Sequence, residues 1–112
     1  MNAPSLTLLY TPFPDSDSAR RAATALVAER LVACCNLLPG MQSIYRWEGA
    51  VTEASETVLL AKTTPAMAGR AMQRLAALHP YDTPAILCLP VSEAHPEFVA
   101  WVGTQLEASL TD

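Results

Sequence analysis

Charge is scarce in this chain of 112 residues: Asp, Glu, Lys and Arg make up 16% of it, and only seven residues are basic. Apart from Arg20-Arg21 the basic residues are scattered, and the net charge is -4, so no electrostatic footprint for a phosphate backbone exists. Nucleic acid is not an expected partner. No apolar run approaches the roughly 20 residues of a membrane span, and Met1 to Pro14 lacks the basic start and long apolar centre of a signal peptide. The expectation is a cytoplasmic protein with no membrane partner. Cysteine is limited to Cys34, Cys35 and Cys88, too few for a disulfide framework, and the adjacent pair would face opposite sides of a strand. Reduced thiols follow, each expected first as a small core residue. There are two histidines, His79 and His95, and no nucleophile elbow, phosphate loop or Ser-His-Asp set accompanies them, so no catalytic residue is assigned.

What the chain does have is apolar surface. Hydrophobic residues make up 51% of it, which is high for a soluble domain of this size and points to burial against another subunit. The length fits a single domain over residues 1–112.

Leu6, Leu8 and Tyr10 alternate with Ser5, Thr7 and Leu9 in a first strand closed at Thr11-Pro12-Phe13-Pro14. Asp15 or Ser16 can cap a helix in which Ala19, Ala22, Ala23, Leu26 and Val27 form the apolar stripe. Val32 to Leu38 is a second strand, broken at Pro39-Gly40, and Met41 to Trp47 resumes extended structure up to a hairpin turn at Glu48-Gly49. The returning arm, Ala50 to Thr63, far exceeds the five or six residues typical of a strand. Arms of that length outrun one small sheet and should pair elsewhere. Thr64 caps and Pro65 opens a second helix, which runs to Leu78; Ala85 to Leu89 then reads as a buried strand, and a last helix starts near Pro96. Leu26, Leu60, Ile86 and Trp101 are expected in one core.

The order strand, helix, strand, strand, helix, strand, with an extra C-terminal helix, is the split βαβ of an α+β, ferredoxin-like sandwich. Helices would cover one sheet face and leave the other bare for a partner.

Chemistry concentrates at the joint between the second helix and the last strand, Leu78-His79-Pro80-Tyr81-Asp82. Pro80 must end the helix. A cationic His79 would suit the negative end of the helix dipole, and the same imidazole is a ligand type for Cu(II) or zinc. Cys34 and its neighbours are softer ligands, but no C-x-x-C or H-x-x-x-H spacing preassembles a site. Glu56 and Lys62 share one face of the long arm, roughly 20 Å apart, so each needs another partner. Glu56 is a candidate for the cleft near Tyr81 and Asp82.

Taken together, Ala33-Cys34-Cys35-Asn36, Ser43-Ile44-Tyr45-Arg46-Trp47-Glu48-Gly49, Glu56 with Lys62-Thr63, His79-Pro80-Tyr81-Asp82 and Trp101 resemble the divalent-cation tolerance (CutA) family over nearly the whole chain. The resemblance implies a homotrimer joined by long hairpins and a role in tolerance to copper and other divalent metals. Read with the side-chain chemistry above, the candidate metal ligands are His79, Cys34 and Asp82, for a divalent ion such as Cu(II) and with no organic cofactor, and the candidate inter-subunit cleft is Trp47, Glu56, Lys62 and Tyr81. Four positions depart from the pattern: Asp82 stands for a glutamate, Ala85 for a second acid, Phe98 for a tyrosine and Ala94 for a glycine. A trimeric signalling or docking module resembling the PII proteins, with a small ligand or protein partner in its clefts, is the alternative.

Overall fold

The computed structural model describes residues 6–107. Its strands are β1 (Thr7–Phe13), β2 (Cys34–Trp47), β3 (Ala50–Thr63) and β4 (Leu87–Pro90); its helices are α1 (Ser16–Ala28), α2 (Pro65–Leu78) and α3 (Pro96–Gln105). The strands form one antiparallel sheet in the order β2-β3-β1-β4, which with the chain order is the expected split βαβ connectivity. No helix among the described residues is long and apolar enough to cross a membrane.

Period-two alternation decides which residues enter the core. Leu9 and Phe13 of β1, with Leu59 and Ala61 of β3, face α1 and α2 and pack with Ala22, Leu26, Ala71 and Leu75. The small alanines let the helices lie close on the sheet. Asp15, not Ser16, caps α1, its carboxylate accepting from the Ser18 N–H at 2.7 Å. Thr64 occupies the cap of α2 with Pro65 behind it, but its hydroxyl makes no capping bond.

The opposite sheet face carries Leu8, Tyr10, Leu60, Leu38, Leu87 and Leu89, which share a side by register. No helix covers it. Leu38, Leu87 and Leu89 are correspondingly exposed.

β2 and β3 continue well past the sheet as a two-stranded arm, giving the molecule its 48 Å long axis. Glu48 and Gly49 both have positive φ, 49° and 82°, as a type I′ hairpin turn requires. Pro39-Gly40 bulges β2 instead of ending it, with Gly40 in the left-handed region, so the two expected strands are one. Ile44 and Val51, on one face of the arm, are 68% and 69% exposed.

Three sequence expectations fail here. Trp101 is 44% exposed: α3 docks through Val99, Val102 and Leu106 against Leu6 and Ala33, a stripe that turns Phe98 and Trp101 aside to stack on each other at 5.9 Å. Leu60 lies on the bare face and Ile86 is only half-buried beside the core, so the proposed four-residue core reduces to Leu26. Cys88 is exposed, not core, while Cys34 and Cys35 are half-buried.

Candidate functional site

A cavity of about 770 Å³ opens on the bare side of the sheet, where the arm leaves the body. The hairpin supplies Ser43, Tyr45, Trp47 and Glu56, and the α2–β4 loop supplies Tyr81 and Asp82. Ser43, Tyr45 and Trp47 alternate along β2 and therefore share a face, and Met41 pairs with Glu56, which puts the carboxylate on that same face.

Glu56 is the centre of the arrangement. The Ser43 hydroxyl donates to its Oε1, and the Tyr81 hydroxyl donates to its Oε2 at 2.7 Å. Burial first, and then the Glu56 carboxylate, push the Tyr81 phenol well above its ordinary pKa, so it stays a hydroxyl.

His79 holds the loop that carries Tyr81. Pro80 forces the preceding residue out of the helical region, and His79 accordingly caps α2 with φ −78° and ψ 138°. That geometry turns the ring inward, where it is 7% exposed and stacks on Phe13 with centroids 4.1 Å apart. The Tyr81 N–H donates to Nδ1 at 3.1 Å, so Nδ1 carries a lone pair and the proton sits on Nε2, which donates to the Pro12 carbonyl at 2.8 Å. Burial lowers the imidazole pKa against the opposing pull of the Pro12 carbonyl and Glu56. The expected cationic helix cap is therefore corrected: this is a neutral ring with both nitrogens bonded.

Of the cleft residues expected from sequence, Trp47, Glu56 and Tyr81 come together, with Asp82 at the same pocket. Lys62 does not; its ammonium donates to the Asn36 side chain, nearer the other end of β3. Tyr45, Ser43 and Pro12 were missed. Counting outward from Glu48-Gly49 pairs Ser43 with Ala54 and would have placed it diagonally across from Glu56.

The three candidate metal ligands do not converge. Cys34 pairs with Lys62, which lies opposite Leu8, whereas His79 bonds Pro12, roughly 13 Å further along β1. No group of three His, Cys, Asp or Glu side chains fit to hold a metal occurs among the described residues. Within one chain, then, the residues do not fit a resident metal centre. Burial also pushes the Cys35 thiol up to about 12, with Cys34 beside it adding to the shift, which disfavours the thiolate that a metal needs.

Fold and site together define a small α+β sandwich with a protruding hairpin and an acidic, aromatic pocket at its root. The family model for the CutA1 divalent ion tolerance protein matches residues 7–105. The divalent-cation tolerance protein CutA of Thermus thermophilus is 47% identical over 89 residues, 80% of this chain and 86% of that protein. Its counterpart from Pectobacterium atrosepticum is 40% identical over 83% of this chain and 84% of that one. The crystal structure of CutA from Xylella fastidiosa superposes with a TM-score of 0.89 at 39% identity, covering 92% of this chain and 99% of that one. The chain belongs to the CutA divalent-cation tolerance family.

Proposed function

We propose that the protein serves divalent-cation tolerance as a cytoplasmic, non-catalytic homotrimer, with divalent metal ions, Cu(II) among them, as its cargo and not as a resident cofactor. The observation that carries the assembly is exposed apolar surface: Leu38, Leu87 and Leu89 on the bare sheet face, with Ile44 and Val51 on the opposite face of the arm, leave more of it open than a lone small domain tolerates. A closed ring of three copies would cover that face and pair the arms. Family membership supports the metal-ion role, and the lack of a converged ligand set among the described residues of one chain accords with a metal held between subunits or in transient contact with them. Three unpaired thiols agree with a reducing compartment.

Light scattering at micromolar concentration should return three chains of 12.0 kDa each, and Leu38→Asp with Leu89→Asp should dissociate them. A stable parent monomer would refute the assembly. Calorimetry with Cu(II) and Zn(II) tests the cargo, and heat from ATP with none from either metal would favour the docking-module reading. That second reading has its own support in the pocket beside Glu56, which is far larger than a metal ion needs.

A further inference from the structure

We propose that the pocket at the root of the hairpin binds a small organic cation, an alkylammonium group with an apolar body. This rests on the trimer reading to the extent that the pocket opens on the face a neighbouring subunit would roof. Every charged side chain lining it is acidic, Glu56 and Asp82, and no Lys, Arg or His joins them. Its other prominent walls are the aromatic rings of Tyr45, Trp47 and Tyr81, whose π faces attract cations.

Size and donor set argue for an organic cation over a bare metal ion. A metal is held by three or more ligands within about 2 to 2.6 Å, and no such group converges here, while about 770 Å³ is the room of a small-molecule site. The two carboxylates have different parts. Glu56 is fixed before any ligand arrives, because the Ser43 and Tyr81 hydroxyls hold one oxygen each; a carboxylate has about four lone-pair sites, so two remain for an ammonium N–H. Asp82 has no hydrogen bond or ion pair among the described residues and stands exposed on the loop, leaving its charge free to draw a cation in. The aromatic rings and Pro12 then take the ligand's apolar body.

The test uses the full chain, dialysed against chelator, titrated at pH 7.5 with three probes of one length: pentylammonium, pentan-1-ol and pentanoate. Trp47 fluorescence and calorimetry report binding. Saturable binding of pentylammonium is expected, with pentan-1-ol at least tenfold weaker and pentanoate silent. Glu56→Gln and, as a second variant on the exposed loop, Asp82→Asn should each weaken pentylammonium several-fold, while Glu53→Gln, on the other face of the arm, should not. Equal affinity for the amine and the alcohol would overturn the proposal, as would full affinity in both Glu56→Gln and Asp82→Asn, or stoichiometric displacement of the amine by Zn(II). Light scattering on the same samples separates the two readings: a trimer that ignores the amine refutes the ligand class alone, whereas a monomer refutes the assembly.

Discussion

Replacing His79 by alanine tests how the pocket loop is held. The imidazole makes two hydrogen bonds, to the Pro12 carbonyl and from the Tyr81 N–H, and stacks on Phe13. At about 1 kcal/mol for each bond and a further 0.5 to 1.5 for the stacked pair, His79→Ala should cost roughly 3 kcal/mol at pH 8. The pH dependence is the sharper part. Burial lowers the folded-state pKa of this ring below its unfolded value of 6.5, so the unfolded chain binds a proton more readily than the folded one. The stabilisation is therefore complete above pH 6.5 and is lost as pH falls toward the folded pKa, by at most about 1.4 kcal/mol per pH unit. Urea unfolding of parent and variant at one protein concentration, at pH 8, 6.5 and 5.5, isolates the effect, since all other titrating groups are common to both. The gap between them should narrow on going to pH 5.5, by no more than about 1.4 kcal/mol. A gap that stays constant or widens would show that the ring is not held neutral and would refute the bonding scheme.

Other expected outcomes follow from the packing. Leu59→Ala empties a fully buried position and should cost 2 to 5 kcal/mol, roughly, whereas Trp101→Ala, at a half-exposed position, should cost clearly less in the same urea series; the reverse ranking would contradict the docking of α3. Gly49→Val forces a β-branched residue to φ +82° and should destabilise the hairpin by about 1 to 2 kcal/mol, read by the same unfolding midpoint. Iodoacetamide at pH 8 should alkylate Cys35 slowest of the three thiols, because burial holds it protonated, and mass spectrometry of the digest will rank them. In an alkaline absorbance titration the last phenol to ionise should vanish in Tyr81→Phe.

The fold was legible because its signals are local and periodic. Alanines at helical spacing, alternation in β1 and the Glu48-Gly49 turn each act through neighbours a few residues away and placed their elements, although β1 runs on through Thr11, Pro12 and Phe13, where the strand had been expected to close. Trp101 was misread because Phe98, Trp101 and Gln105 satisfy the helical period as well as Val99, Val102 and Leu106 do. The choice between the two stripes is made by Leu6 and Ala33, far away in the chain. The same limit hid the chemistry of His79, whose hydrogen-bond partner is a backbone carbonyl 67 residues distant and leaves no trace in side-chain spacing.

One residue explains why the pocket exists where it does. In β1 the residues that bond toward β4 are Leu6, Leu8, Tyr10 and Pro12: Leu6 accepts from the Val91 N–H, and the Pro12 carbonyl points the same way, to His79. The next ladder pair beyond Tyr10 and Leu87 on this edge would join Pro12 to Ala85, and Pro12 has no N–H to give. β4 therefore starts at Leu87 and not, as the apolar run had indicated, at Ala85. The unextended edge leaves the Pro12 carbonyl free for His79 and lets the loop before β4 fold back over the end of β1. That fold brings the Tyr81 hydroxyl to Glu56 and lines the cavity with Ala85 and Pro12 themselves. A residue that read only as a strand terminator thus sets the length of a different strand, and the space it leaves open is the pocket.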